Sequence, residues 1–179
     1  MKNLNRNEAF KLWDIYWNDS VNEFFKVEAI QDYGAEEIVQ SPSYEAWAKG
    51  DKNKSIEIMK QNANEWSKQT RQKRVLKIRI HIVKKPYSSY IEWEIMHYKL
   101  VNIPLGDEKV YLVNSEDIKD VIIPGDFMIF DNERVANSHY GETGKMTGMD
   151  FYDRGEDISK FIRLKDLLLS KAIELETSL

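Results

Sequence analysis

The chain has 179 residues, of which 42% are hydrophobic, 31% charged and 12% aromatic. That suits a single folded domain, 1–179, and not a disordered segment. Its 26 basic and 30 acidic residues leave a formal charge of −4, which rules out a generally basic nucleic-acid coat and a strongly acidic DNA mimic. There is no cysteine, so disulfides, thiolate metal sites and a cysteine nucleophile are ruled out as well. No apolar run approaches the roughly 18–20 residues of a membrane span, and the opening MKNLNRNEAF lacks a signal peptide's apolar core. The expectation is a cytoplasmic protein that does not engage a membrane.

In chain order, the first third (7–70) reads as helical. Phe10, Trp13, Trp17, Val21, Phe24, Phe25, Val27 and Ile30 recur at spacings of three and four, as on one helical stripe. Asn18-Asp19-Ser20 interrupts or recaps it, and Gly34 is a plausible stop. Ser41-Pro42-Ser43 opens a short helix over 44–49, which Gly50 ends. A longer helix over 54–69 carries Ile56, Met59, Ala63 and Trp66 on one face.

The sheet-rich part, 74–152, begins where the period changes to two. Leu76, Ile78, Ile80 and Ile82 alternate with Lys77, Arg79 and His81, the pattern of a half-buried strand. Pro86 closes it. Ser89 and Glu92 resemble a capping box for a helix over 90–100. Strands are expected over 109–113, 127–130, 135–140 and 146–152. Ser115 starts a helical turn, and turns lie at 131–133 and 141–144. A C-terminal helix (156–175) has a stripe of Ile158, Phe161, Ile162, Lys165, Leu168, Leu169 and Ala172. The fold class is therefore α+β, with an antiparallel sheet of about five strands and helices packed on one face.

Charge is unevenly placed. From Trp66 to Ile91 there is no acid but eight Lys and Arg, whereas 107–157 holds thirteen acids against five bases. One reading is that the two segments lie side by side and screen each other, in exposed pairs worth about 0–1 kcal/mol each. The other is that Lys77, Arg79 and His81, which share one face of a strand, converge on a cleft and attract an anion. That anion would be a small phosphate-like molecule or single-stranded nucleic acid stacked on nearby aromatic rings.

No Gly-rich phosphate loop, HExxH or Gly-x-Ser-x-Gly motif is present. His81, His97 and His139 lack zinc-like spacing, so neither a metal nor a cofactor is expected. Asp126 and Asp131 bracket an apolar strand at opposite faces. Each reads as a turn residue or as a carboxylate meeting Arg79 or His81. Glu94 sits among Ile91, Trp93, Ile95 and Met96, where a charge is costly unless paired. Arg79 is its natural partner; without a cation its pKa should rise.

The run Arg79-x-His81-Ile82-Val83-x-x-Pro86-x-Ser88-x-Tyr90-x-x-x-Glu94 resembles the central signature of a bacterial domain-of-unknown-function family. Asn102 with Gly106-Asp107, Pro124 with Asp126-Phe127-x-x-Phe130-Asp131, and Val135, His139-Tyr140, Gly144 and Gly148 resemble its later blocks. Upstream, Phe25-x-Val27-Glu28 through Tyr33, Trp47 and Gly50 resemble its N-terminal half. The likeness covers about residues 20 to 175. The chain departs from the pattern at His81, Lys85 and Met128. The resemblance implies the family's fold and a bacterial setting, as the family is abundant in actinobacteria and often encoded beside Xre-type helix-turn-helix regulators. It implies no activity.

Two functions are expected. The first is a binding or regulatory module that acts through a protein partner, such as a helix-turn-helix regulator, or through a small anionic ligand. Its site would comprise Lys77, Arg79, His81, Tyr90, Glu94, Asp126, Asp131 and His139. The second is a small metal-independent hydrolase or transferase on phosphate esters or nucleic acid, with Arg79 and Lys77 holding the anion and His81, His139 or Glu94 moving protons. A homodimer through the C-terminal stripe is a third arrangement.

Overall fold

The alternating isoleucine segment forms the centre of the molecule. A computed structural model describes residues 1–31 and 41–176. Strands and helices follow in the order β1 (Lys2–Asn5), α1 (Arg6–Asp19), β2 (Glu23–Glu28), α2 (Pro42–Ala48), α3 (Lys52–Gln72), β3 (Leu76–Val83), α4 (Ser89–His97), α5 (Ile103–Gly106), β4 (Glu108–Asn114), β5 (Phe127–Phe130), β6 (Arg134–Tyr140), β7 (Met146–Tyr152), α6 (Ser159–Lys171) and β8 (Ile173–Glu174). A π-helical turn, Tyr98–Asn102, links α4 to α5, and a 3-10 turn, Ser115–Ile118, follows β4. Gly34 and Tyr33 lie outside the described residues, as does the side chain of Trp66.

The strands form one mixed eight-stranded sheet in the order β1-β7-β6-β5-β2-β3-β4-β8. β2, β3 and β4 run parallel, and the remaining pairs are antiparallel. This corrects the expected antiparallel sheet of about five strands. Much of the difference is β2. Its apolar residues suggested a helix, but Phe24, Phe25, Val27 and Glu28 are all buried. Adjacent Phe24 and Phe25 obscure the short alternation that Lys26 and Glu28 make with Val27, and six residues are too few to separate it from a helical pattern. β1 and β8 are too short to show a period at all.

Helices cover both faces, not one. On one face α6 inserts Phe161 and Leu168 against Phe25, Val27, Ile78, Ile80, Ile82, Phe127 and Ile129. On the other, α1 packs Ala9 and Tyr16 onto Phe24, Met128, Phe130 and Phe151, and α2 and α4 pack Tyr44, Tyr90 and Ile91 around Val83. The C-terminal stripe is thus spent on the sheet. Polar alternation on β3 suggested a solvent-facing surface, yet Lys77, Arg79 and His81 are 2%, 8% and 0% exposed. The Arg79 charge is paired with Glu28 and Glu108, the condition for burying it. The gap between α1 and the α2–α4 layer leaves this face open as a cleft.

Candidate functional site

The strand register places the floor. Lys26 lies opposite Arg79, Glu28 opposite His81, and Lys77 opposite Glu108. Alternate residues share a face, so Lys26 and Glu28, Arg79 and His81, and Glu108 all look the same way. Above them is a cavity of about 820 Å³, lined by Lys26, Glu28, Arg79, Glu94, Glu108 and Asp126 together with Trp13, Trp17, Phe24, Tyr90 and Tyr140.

Arg79 is the hub. Its Nη1 donates to Glu28 Oε1 at 2.5 Å, its Nε to Glu108 Oε2 at 2.9 Å, and its Nη2 reaches Glu108 Oε1 at 3.5 Å. Lys26 Nζ adds a 2.6 Å ion pair to Glu28 Oε1. Burial alone would raise the Glu28 carboxyl, but Arg79 and Lys26 outweigh it and hold the group well below the usual carboxylate range. Burial likewise opposes the charge on Arg79, and Glu108 and Glu28 more than compensate. The π-helical turn aims Tyr98 inward, where its hydroxyl donates to Glu28 Oε2 at 2.5 Å and lies 2.9 Å from His81 Nδ1. Asn102 donates to Glu108 Oε2 at 3.2 Å.

Glu94 stands apart from these cations. The expected Arg79–Glu94 pair is not what forms: both edges of the guanidinium are taken by Glu28 and Glu108. Glu94 Oε2 lies 3.2 Å from His81 Nδ1, and its carboxyl is hydrogen-bonded to Tyr90. Burial, reinforced by the neighbouring Glu28 charge, pushes Glu94 up to about 8. The rise that an unpaired Glu94 was expected to show is present. Burial also lowers the His81 pKa, so the imidazole is neutral at pH 7.

Among the other expected site residues, Asp126 lines the cleft, with Oδ1 accepting from the Ala29 N–H at 2.7 Å and Oδ2 from the Tyr140 hydroxyl at 2.7 Å. It meets neither Arg79 nor His81 in an ion pair among the described residues. Four residues do not line the cleft: His81, fully buried beneath its floor, and three more. Lys77 is buried and borders a smaller hollow of about 220 Å³ with Glu108 and Glu174. Asp131 caps backbone N–H groups of Val21, Asn22 and Glu23. His139 pairs with Asp150 at 2.9 Å, on the sheet face opposite Ser138 and Met149. Asp131 and His139 are satisfied locally by a turn and an ion pair, so neither converges with Arg79.

The residues that sequence reasoning missed are Lys26, Glu28, Glu108, Tyr98, Trp13 and Trp17. Phe24, Lys26 and Glu28 do alternate with Phe25 and Val27, and that period-two trace was the available signal. Trp13 and Trp17, counted as core, stack at 5.8 Å and 11° and form a half-buried wall of the cleft.

A family model described as a domain of unknown function, DUF6879, matches residues 11–177. The chain belongs to the DUF6879 family. Its match spans every cleft residue named above, so the cleft is built wholly within the DUF6879 region. No curated protein matches the chain. No helix among the described residues is long and apolar enough to cross a membrane.

Proposed function

We propose that this DUF6879 domain is a small-molecule-binding module whose ligand lies in the cleft between α1 and α4, with a flat ring against Trp13 and Trp17 and hydrogen-bond donors turned to the carboxylate floor. The observation that carries the reading is the cavity of about 820 Å³ with aromatic walls and buried titratable groups at its base. That size and that mixture are typical of ligand sites, and strongly shifted pKa values concentrate at functional positions.

The charge balance refines the ligand's chemistry. Glu28, Glu108 and Asp126 line the cleft against Arg79 and Lys26, three formal negative charges against two positive, and Glu94, raised to about 8, adds a carboxyl largely protonated at pH 7. The Arg79 guanidinium is already held by two carboxylates. A neutral or protonated-amine ligand complements such a floor better than a phosphate. This changes the anionic ligand expected from the basic segment, whose charge is neutralised inside the fold. For the same reason the hydrolytic reading on phosphate esters or nucleic acid has less support: Lys77 and His139 are out of reach, and Arg79 is engaged. A regulatory role beside a helix-turn-helix partner rests on the resemblance alone.

The test is a ligand-observed NMR screen of planar fragments on the wild type and on Trp13→Ala. Stacking on an aromatic side chain contributes about 1–3 kcal/mol, so hits are expected to weaken roughly five- to hundredfold in the variant. Hits that bind both proteins equally would place the ligand elsewhere.

A further inference from the structure

We infer that Glu28, His81 and Glu94 form a binding site for a divalent first-row metal ion at the base of the cleft. One donor atom from each lies within 4.8 Å of the others. The His81 ring is oriented for ligation. Its Nε2 faces the Ile30 carbonyl at 3.4 Å, which can only accept, so the ring proton is assigned there; Nδ1, 2.9 Å from a Tyr98 hydroxyl that gives its proton to Glu28, keeps its lone pair and would exchange that contact for the ion. Backbone carbonyls fix metal-binding imidazoles in this way.

That lone pair points among oxygens. Glu94 Oε2 lies at 3.2 Å and Glu28 Oε2 at 4.0 Å from Nδ1. The shorter fits an edge of a coordination polyhedron with metal–ligand bonds of about 2.0–2.2 Å, and the longer would close to one by rotation of the Glu28 carboxylate. A second observation is independent of this geometry. Glu94 is 9% exposed, and its Oε2 is a buried oxygen without a hydrogen-bond partner, aimed at the same point. Arg79 and Lys26 engage Oε1 of Glu28 and leave Oε2 on the side of His81. One imidazole with two carboxylates suits Mn(II), Fe(II) or Zn(II) better than the all-oxygen preference of Mg(II) or Ca(II). Glu28 and Glu94 both line the cavity, so remaining coordination positions would open to the cleft.

The test uses the full chain after chelator treatment and metal ions alone, so its outcome does not depend on the organic ligand proposed above. Calorimetric titration with Zn(II) and Mn(II) is expected to show one saturable site per chain. Glu94→Gln, which keeps the shape and removes one charged donor, is expected to weaken it at least tenfold, with the circular dichroism spectrum unchanged. His139→Ala, at the surface His139–Asp150 pair, is expected to leave it intact. Equal affinity in wild type and Glu94→Gln, or loss of the site in His139→Ala, overturns the inference. Should Glu94→Gln fail to fold, a Zn(II)-soaked wild-type crystal decides. An anomalous peak between His81 Nδ1 and the two carboxylates upholds the site, and its absence overturns it.

Discussion

Arg79 is the side chain on which the buried charges depend. It joins Glu28 on one neighbouring strand to Glu108 on the other. Removing one partner of a buried ion pair leaves the others uncompensated, at a cost of about 3–5 kcal/mol. Arg79→Met is therefore expected to lower stability by that amount in urea unfolding. Glu108→Gln in the same background should recover part of the loss, a coupling that a double-mutant cycle measures. Arg79→Lys is expected to fall between the two, because a point-like ammonium cannot serve both carboxylates as a planar guanidinium does. Asp131 acts differently. It sits in the left-handed region at φ 55 and accepts from the Val21, Asn22 and Glu23 N–H groups at 2.9, 2.8 and 2.8 Å. Burial would raise its pKa, but these three donors outweigh it and lower the value. A carboxyl depressed in the folded state stabilises above its unfolded pKa of about 3.9, and the contribution is lost as pH falls through the folded value. Asp131→Asn, which tolerates the same backbone, is expected to cost about 1–3 kcal/mol at pH 7. That difference should shrink as pH falls below about 3.9 and vanish below the still lower folded value, as read from urea midpoints across that range.

Secondary structure explains what was readable in the sequence and what was not. β3, β5 and β7 stand where period and turn residues placed them, and so does the helix ending at Gly50, because each signal is local. β2 was hidden: Phe24, Phe25 and Val27 are apolar on both faces, and the strand is paired by residues about fifty and about a hundred positions away. With β2 went Glu28, and with Glu28 the partner of Arg79. The face shared by Lys77, Arg79 and His81 followed from alternation alone, as did the raised pKa of Glu94 from its apolar neighbours. Which acids would meet them was set by strand order, which no local pattern encodes. Edge strand β1 gives an element-level prediction. A Cβ on Gly148 would stand 2.2 Å from the Leu4 carbonyl oxygen, closer than any side chain allows. Gly148→Ala is expected to push β1 from β7 and lower Tm by roughly 2–10 °C. Hydrogen exchange should speed up at β1 amides while β2 and β3 stay protected.

Taken whole, the molecule is a twisted sheet whose two faces do different work. α6 seals one with branched and aromatic side chains. The other is parted between α1 and the α2–α4 layer, and its charged residues look into the parting. A sequence with an acid-free stretch and an acid-rich one thus folds so that the basic strand is neutralised internally and the cleft keeps an excess of carboxylates. The decisive measurement follows from that sign. Tryptamine and indole-3-acetate carry the same ring with opposite charge, and their affinities for the chelator-treated protein can be compared by calorimetry. The expected result is that the amine binds at least tenfold tighter and that Trp13→Ala weakens it. Equal or tighter binding of the carboxylate, or no binding of either, would show that the cleft is not the cation-favouring ring site described.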